Sequence, residues 1–409
     1  MLYRCQLADD SLLNDNLLFR AVYNGLGHVL PDWLCWLGFV VAGFTIMFIL
    51  INAVLLGAAL FVWSERRVIA RMQNRIGPNR WGPFGLFTPI ADLLKLLSKE
   101  DMVPRGADRI AFTLVPIVMM APVILMLAVV PFAQNTVLAN INVGVLFVVA
   151  ITAISGLGIF MAGWASGNRY ALFGAMRGVA ILISYEVPAV LALVGIVLAA
   201  GSMSMIDVVN AQTVPFLVVQ PLAAFIFIVG VSAELNRTPF DVLEAESELI
   251  AGYHIEYSGT KFAIIQAAEY GAVLASSALL ATFFLAGWVG PFLSGPLGPV
   301  WFLLKVAFFA VLFIWARATF PRLRVDQIMS FAWKFLFPLS IVNLFAVALE
   351  VYFLGDAQSG LTQADLGIMA GINLGLTAIA VAVYGRLFRD NVRPRETSMQ
   401  RTMATPTQG

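Results

Sequence analysis

Residues 37–63 read LGFVVAGFTIMFILINAVLLGAALFVW and contain no charged side chain. A helix needs about 20 consecutive apolar residues to cross the hydrocarbon core of a bilayer, so this stretch predicts a transmembrane helix. The whole chain of 409 residues has the same character: 60% is hydrophobic, 12% is charged, and the mean hydropathy is +0.87. A soluble chain carries about 25% charged residues. The composition excludes a soluble enzyme, a nucleic-acid-binding protein and a disordered scaffold, and it predicts an all-α polytopic membrane protein.

Further apolar runs of similar length predict about nine transmembrane helices in total. Residues 1–36 precede them as an N-terminal extension, which we expect to lie at the outer membrane interface as a short amphipathic or irregular segment. Residues 386–409 form a polar, basic tail that we expect to be disordered. The nine predicted spans lie near 37–63, 111–132, 142–164, 179–200, 215–233, 268–289, 299–317, 335–354 and 364–385.

The basic residues predict how the chain is oriented in the membrane. Of the 25 Lys and Arg residues, 22 fall on one predicted face, and the loops of the opposite face carry none. Cytoplasmic loops are enriched in Lys and Arg, so we expect this face and the C-terminus to be cytoplasmic and the N-terminus to be outside. The cytoplasmic loops are then 64–110, 165–178, 234–267 and 318–334.

The first of these loops begins with arginines at roughly helical spacing beside apolar residues, which predicts an interfacial amphipathic helix. Gly77-Pro78-Asn79 would end this helix, and a second apolar pattern resumes at Thr88 around Asp92. A positively charged membrane anchor accounts for the arginines. It does not account for Glu65 at the end of the first span or for the many glycines and prolines, which favour a backbone shaped around a ligand or partner.

The loop 234–267 is acidic although it lies on the basic face. Asp241, Glu244 and Glu248 would share one helical face, where like charges repel. Such repulsion raises carboxylate pKa values and lets a cluster share protons near neutral pH. A solvated acidic loop that binds a basic partner explains the composition equally well. The acids of this region are Glu234, Asp241, Glu244, Glu246, Glu248, Glu256 and Glu269.

Ionisable residues inside the predicted spans are few, and Glu186 is the clearest case. A carboxylate at that depth is costly unless it is paired, hydrated or protonated, and it indicates a proton or ion path; a neutral acid hydrogen-bonded to a neighbouring helix is the alternative. Pro188 frees a backbone carbonyl one turn earlier, where water can enter. Lys305 is either a second intramembrane charge or a side chain that reaches the interface, and Glu350 is expected at the outer interface.

No metal site is predicted, because two cysteines and two histidines are too few and too widely spaced for an iron–sulfur cluster or haem pairs. The loop 318–334 is instead rich in arginine. Guanidinium groups there can bind the acidic cluster, another subunit or lipid phosphates. Membrane anchoring alone is the common role of such residues.

Four long stretches occur in order, each after a predicted span: ERRVIARMQNRIGPNRWGPFGLFTPIADLLKLLSKED (65–101), GWASGNRYALFGAMRGVAILISYEV (163–187), AELNRTPFDVLEAESELIAGYHIEYSG (233–259) and RATFPRLRVDQIMSFAWK (317–334). Together they resemble the family of quinone-site membrane subunits (the H type) of the proton-translocating NADH:quinone oxidoreductase, respiratory complex I. The resemblance covers about residues 37–355. It implies a membrane component that forms most of a quinone cavity where the membrane arm meets the soluble arm.

The resemblance also implies the roles of partners and residues. Quinone is the substrate, this chain binds no cofactor, and FMN and iron–sulfur clusters lie on partner subunits, which include other membrane subunits and the soluble-arm subunits at the quinone site. The carboxylates implied in proton coupling are Glu186, Glu234, Glu244, Glu246, Glu248, Glu256, Glu269 and Asp92. The residues implied at the quinone cavity are Glu65, Arg66, Arg75, Gly77, Pro78, Asn79, Arg80, Asp92 and Arg317.

Some features depart from the family pattern. Thr88 stands where the family usually has glutamine, and Val325 stands where a tyrosine usually precedes Asp-Gln. The usual core has eight spans, corresponding to 37–355, so residues 356–385 add a ninth helix. These additions resemble bacterial forms and imply the bacterial plasma membrane.

Two alternatives remain at this stage. A free-standing proton-coupled secondary transporter would usually show repeated halves, and none is visible in the sequence. An equivalent subunit of a membrane hydrogenase, or of another donor:quinone oxidoreductase, would keep the fold and change the electron source.

Overall fold

The computed structural model describes residues 17–27, 35–134, 136–243, 252–290, 297–354 and 362–391. Within these ranges, eight helices are long and apolar enough to cross a membrane, which confirms an all-α polytopic membrane protein. The helices are α1 Leu17–Gly27, α2 Cys35–Met72, α3 Thr88–Ser98, α4 Arg109–Val129, α5 Gly144–Ala165, α6 Arg169–Ala200, α7 Met205–Ala211, α8 Phe216–Val219, α9 Pro221–Glu234, α10 Gly259–Phe284, α11 Gly298–Thr319, α12 Val325–Leu354 and α13 Gln363–Asn391.

The fifth predicted span, 215–233, is not a long helix. It consists of α8 and α9, which are separated at Gln220 because Pro221 starts a new helix. The 14 residues of α9 span about 21 Å, which is less than the thickness of a bilayer core. The eight long helices correspond to the other eight predicted spans.

The predicted interfacial helix after the first span is wrong as a separate element. Residues 64–72 continue α2 without a break, so the helix ends only at Met72. Asn74 adopts a left-handed conformation with φ 54°, and the Arg75 amide bonds back to the carbonyl of Ala70 at 2.8 Å. This is the geometry that closes a helix C-terminus, and asparagine tolerates it better than most residues. The predicted second helix is present as α3, beginning at Thr88.

Helices also extend past the predicted spans at the other loops. The loop 165–178 shrinks to 166–168 because α6 begins at Arg169, where the Asn168 side chain caps the Tyr170 amide at 2.9 Å. Likewise α10 begins at Gly259 and α12 at Val325, so the loops 234–267 and 318–334 are shorter than predicted. The apolar pattern alone placed these boundaries too late, because the first turns carry polar residues.

The connections between these helices meet at one end of the bundle. The amide of Asp108, before α4, bonds to the carbonyl of Ala165 at the end of α5 at 3.0 Å. Gly167 is so close to residue 106 that a Cβ atom there would lie 2.4 Å from the Gly106 carbonyl oxygen. We call this end the basic end; among the described residues it comprises 73–108, 166–168, 235–243, 252–258 and 320–324.

Helix α6 forms the centre of the bundle, packing against α5, α9 and α12. Small residues let the helices approach closely: a Cβ atom at Gly230 of α9 would lie 2.8 Å from the Cβ of Ala189. Close packing of this kind holds helices together in lipid, because lipid tails are as apolar as the helix surfaces and the hydrophobic effect does not drive the helices together. Tyr185 of α6 is fully buried, and its hydroxyl donates to the Ile328 carbonyl of α12 at 2.9 Å. A π-helical segment, Ala332–Leu336, interrupts α12 nearby.

Two predictions about charged side chains near the other end are resolved. Lys305 forms no ion pair among the described residues, and its Nζ donates to the carbonyls of Leu285, Gly287 and Val289 at 2.5, 2.8 and 2.6 Å, just after α10 ends. The ammonium therefore satisfies carbonyls that the helix end leaves unpaired. Glu350 was expected at the outer interface, but it is buried between α12 and α13.

The two ends of the chain extend the core. In α1, Phe19 and Tyr23 are buried against Ala42 and Ile46 of α2, so part of the N-terminal extension is a packed helix. Helix α13 continues to Asn391. The prediction of disorder from residue 386 is therefore wrong for 386–391, and 392–409 lie outside the described residues.

Candidate functional site

Glu65 is the centre of a buried ion cluster at the basic end. It lies on α2 with only 4% of its surface exposed, and its Oε1 accepts from Arg237 Nη1 at 3.0 Å and from Arg317 Nη1. Arg317 comes from the last turn of α11, and Arg237 follows α9. Removing a carboxylate from water is costly unless opposite charges and hydrogen bonds compensate, and two guanidinium groups provide both.

Aromatic rings hold Arg237 in this cluster. Its guanidinium carbon lies 4.8 Å from the ring centre of Tyr270 and 6.0 Å from that of Phe61. Cation–π contacts of this kind gain strength where water is excluded. The cluster therefore joins α2, α10, α11 and the chain after α9 around one carboxylate. Arg237 and Tyr270 were absent from the predicted site; the only sequence signal for Arg237 was its place as one of two bases in an acidic stretch.

A second ion pair joins the acidic and arginine-rich connections. Arg322 Nη2 lies 3.0 Å from Asp241 Oδ2, and the Leu323 amide bonds to the Pro239 carbonyl at 3.1 Å. The predicted partners of the arginines in this connection were the acidic cluster, another subunit and lipid phosphates. For Arg322, the acidic cluster is confirmed. The other acids of the predicted helical face, Glu244 and Glu248, lie outside the described residues, as does Glu246.

Glu269 directly precedes Tyr270 on α10 and lines the same cavity as Arg237 and Arg317. Its two oxygens accept from the Tyr253 hydroxyl and from Gln266 Nε2, the latter at 3.2 Å. Tyr253 is almost fully buried in the short 3₁₀ turn Gly252–His254. The hydroxyl was another member of the site that the sequence did not reveal.

Three neighbouring cavities with shared lining residues lie between this cluster and the middle of α6. The first, of about 50 Å³, is lined by Arg237, Arg317 and Glu269. The second, of about 60 Å³, shares Glu269 with the first and adds Glu234. The third, of about 330 Å³, shares Glu234 with the second and adds Glu186. The predicted acids Glu269, Glu234 and Glu186 thus line a series of neighbouring cavities that starts beside the Glu65 cluster.

Hydroxyl and amide groups line the places where the cavities meet. Thr152, Ser155 and Ser276 belong to both the second and the third cavity. Asn236 lines the first and second, and its buried Oδ1 has no hydrogen-bond partner among the described residues. Buried polar atoms of this kind are typically satisfied by water. These walls can therefore hold water between the carboxylates.

Other predicted site residues lie away from the cavities. Asp92 pairs with Arg66 at 2.6 Å and with Lys95 at 3.9 Å, linking α2 to α3 at the surface. Glu256 accepts from Asn168 Nδ2 at 2.7 Å, which ties the acidic connection to the start of α6. None of the three cavities is lined by the remaining predicted residues, which lie in the turn that follows α2: Arg75, Gly77, Pro78, Asn79 and Arg80.

Burial is the cause of the pKa shifts of two titratable side chains outside the spans, His254 and Tyr257. Burial lowers the pKa of His254 and raises the pKa of Tyr257. His254 is therefore neutral at neutral pH, and its Nδ1 has no partner among the described residues. Within the part of the chain that the structure describes, no group of three or more His, Cys, Asp or Glu residues is placed to hold a metal ion.

The fold and this row of partly buried acids define a polytopic membrane protein with a charged, cavity-lined site at one end of its bundle. A model of the NADH dehydrogenase family matches residues 45–348, and the chain belongs to that family. The H subunit of the NADH-quinone oxidoreductase of Dehalococcoides mccartyi (strain CBDB1) is 47% identical over 342 residues, which are 83% of this chain and 94% of the relative. The corresponding H subunit of Brevibacillus brevis is 46% identical over 334 residues, 81% and 98% of the two chains.

The resemblance drawn from the four sequence stretches is therefore confirmed. The chain is a multi-pass membrane subunit of an oxidoreductase complex of the complex I type, and the other subunits of that complex are its partners.

Proposed function

We propose that this chain forms the quinone-binding cavity of a proton-translocating NADH:quinone oxidoreductase and couples quinone reduction to proton movement through Glu269, Glu234 and Glu186. The observation that supports the proposal is that neighbouring cavities share Glu269 and Glu234 as lining residues, so that the three carboxylates follow one another from the Glu65 cluster to Glu186. Electrons come from an iron–sulfur cluster on an adjoining soluble-arm subunit, and FMN also lies on a partner. The basic end faces the cytoplasm of a bacterial cell, as the distribution of Lys and Arg favours.

The quinone enters from the bilayer beside α2 and α3. The apolar side chains of α3 are about half exposed, among them Ile90, Leu93 and Leu94, and no residue of that helix is buried. A lipophilic ring needs such a surface next to polar groups that orient its oxygens. The Arg66–Asp92 pair and the turn 75–80 supply polar groups at that end, and Glu65 with Arg317 lies further inside.

Reduction of a quinone to a quinol takes two electrons and two protons, so negative charge develops at the ring oxygens until protons arrive. Arg237 and Arg317 are the cations that stabilise such charge, and they are held by Glu65. A change of charge here alters the electrostatic potential at Glu269, which lines the same cavity. The proton of Glu269 then exchanges with Glu234 and Glu186 through water and the hydroxyl groups of the second cavity.

The size of the third cavity supports water as the carrier beside Glu186. A water molecule occupies about 30 Å³ in the liquid, so a cavity of about 330 Å³ holds several. Carboxylates separated by such water exchange protons without moving their side chains. Neighbouring membrane subunits would receive the proton from this cavity.

The substitution Glu186→Gln tests the coupling. We expect normal assembly, because the amide fills the same volume, and a loss of about tenfold in coupled NADH:quinone reductase activity and proton pumping, since one protonatable member of the series is gone. Activity and pumping are measured in membrane vesicles. The control is Glu100→Gln, which changes an exposed carboxylate outside the cavities. Full activity and full pumping in Glu186→Gln would remove this residue from the mechanism.

The partners and cofactors are tested by purification through a tag on the C-terminal tail in mild detergent. Co-purification of flavin, iron–sulfur signals and quinone reductase activity is the expected result. A stable, colourless, isolated chain from the native membrane would contradict the assignment of electron supply to partner subunits.

A further inference from the structure

The added helix α13 is joined to α12 by one buried hydrogen bond. Asn373 Nδ2 donates to Glu350 Oε2 at 2.9 Å. Asn373 is completely buried and Glu350 is 6% exposed, so both side chains are shielded from solvent and lipid. Glu350 lies near the end of α12, the last helix of the family core, just past residue 348, where the match to the family model ends. Asn373 lies on the added helix, so this contact attaches α13 to the core.

The other two polar atoms of this pair are left without partners. Glu350 Oε1 and Asn373 Oδ1 are both buried, and neither has a hydrogen-bond partner among the described residues. An amide carries its oxygen and its NH₂ group on one carbon, and a carboxyl group likewise carries both oxygens on one carbon. When the NH₂ hydrogen cis to the amide oxygen donates to one carboxyl oxygen, the remaining amide oxygen and carboxyl oxygen lie on the same side of the pair. If Glu350 were an ionised carboxylate in this arrangement, its Oε1 and Asn373 Oδ1 would be two acceptors facing each other without a hydrogen between them.

A single proton removes this conflict. A protonated carboxyl group gains one O–H donor, and an amide oxygen is a good acceptor. The pair then forms two hydrogen bonds in one ring, and both unpartnered atoms are satisfied. The surroundings favour the same state, since none of the ion pairs found among the described residues includes Glu350. A carboxylate within a membrane that has one neutral donor and no cation is costly.

We propose that Glu350 and Asn373 form a proton-binding site between α12 and α13, in which the Glu350 hydroxyl at Oε1 donates to Asn373 Oδ1. Loss of the proton would leave two acceptors facing each other and would weaken the attachment of α13. The site is separate from the series of cavities, none of which is lined by either residue. It does not depend on the proposed role of those cavities in quinone chemistry.

A second pair of buried amides nearby offers a matched control. Asn343 lies about two turns before Glu350 on the same face of α12, and both its side-chain polar atoms lack partners among the described residues. A methyl group at Gly195 would lie 3.7 Å from Asn343 Nδ2 and 3.6 Å from Gln220 Oε1, so both amides lie beside the same glycine of α6. Neither amide binds a proton at neutral pH. Substitution of Asn343 therefore measures the effect of losing a buried polar group without any change in protonation.

The test is infrared spectroscopy of the purified complex at neutral pH. We expect the difference between the natural complex and the Glu350→Gln variant to contain the carbonyl stretch of a protonated carboxylic acid, shifted when H₂O is replaced by D₂O. Glu100→Gln calibrates the measurement, since an exposed glutamate should lose carboxylate bands instead. If Glu350→Gln also removes carboxylate bands, Glu350 is ionised and the proposal is wrong. Carboxylate bands that depend on Na⁺ and not on K⁺ would likewise overturn it in favour of a bound cation.

The substitution Asn373→Leu gives an independent test of the ring. It removes both hydrogen bonds, so the carbonyl stretch of Glu350 should shift to higher frequency, and the amount of assembled complex should fall by about tenfold, as expected when a buried polar group loses its partners. Asn343→Leu should leave the Glu350 band in place. An unshifted band in Asn373→Leu would show that the two side chains do not share the proton.

Discussion

Glu65 and Glu350 are both buried carboxyl groups, yet different partners compensate for the hydration that each loses on burial. Glu65 accepts hydrogen bonds from two guanidinium groups at the basic end. Glu350 has one amide as its partner near the other end of α12. The first environment supplies two positive charges, and the second supplies one neutral donor. The comparison teaches that burial alone does not give the charge of an acid; the donors around it do.

The same substitution at the two positions should therefore have different effects, and the larger one is at Glu65. In Glu65→Gln, the amide cannot neutralise Arg237 and Arg317, and we expect a loss of about 3 kcal/mol, typical of a broken buried ion pair. The measurement is the yield and thermal stability of the assembled complex. Arg66→Gln, which changes the surface partner of Asp92, is the control and should cost less than about 1 kcal/mol. A Glu65→Gln complex of normal stability would show that the two arginines do not depend on this carboxylate.

His254 provides an intermediate case outside the spans. Burial lowers its pKa below the usual 6.5, so the folded connection holds the neutral ring. As pH falls below 6.5, the unfolded segment binds a proton more readily than the folded one, and stability is lost toward acid. At neutral pH this group has no such effect. We expect residues 252–258 to exchange backbone amide hydrogens faster as the pH falls from 7 toward 5, after correction for intrinsic exchange.

The variant His254→Phe isolates the cause of that acid sensitivity. It keeps a ring to pack against Tyr253 and Phe262, which lie 5.1 and 5.5 Å away between ring centres, and it cannot titrate. Its exchange should be insensitive to pH over the same range. Equal acid sensitivity in the two proteins would assign the effect to another group.

The smallest effect is expected for Glu350→Gln. A glutamine can donate to Asn373 Oδ1 and accept from its NH₂ group, as the protonated acid does, so the cost should be below about 1 kcal/mol. Glu350→Ala, which leaves Asn373 without any partner, is the matched comparison and should be worse. If the glutamine variant were as unstable as the alanine variant, the neutral ring would be excluded, and Glu350 would resemble Glu65 after all.

The sequence predicted the fold class because long apolar runs satisfy the demands of a bilayer without help from distant residues. It failed at the ends of helices, where α2 continued to Met72 and α6 began at Arg169. Polar residues in these turns are stabilised by neighbours from other parts of the chain, as Asn168 is by Glu256. A local pattern does not contain those neighbours.

The candidate site divides in the same way. Glu186 stood out from the sequence because carboxylates are rare in apolar surroundings, whereas Glu234 and Glu269 stood out as acids on a basic face. Their arrangement along neighbouring cavities, and the places of Arg237, Tyr253 and Tyr270 beside them, required the packing of α6, α9 and α10.

The sequence by itself determined that this chain is a multi-pass helical membrane protein of a recognisable family, since composition and long motifs are properties of the chain alone. Only the tertiary structure decided which partner each buried charge has. Glu65 meets arginines that are 172 and 252 positions away, whereas Glu350 meets an asparagine on the next helix. Electrostatic interactions act over a few ångströms, and only the folded bundle sets which groups lie within that distance.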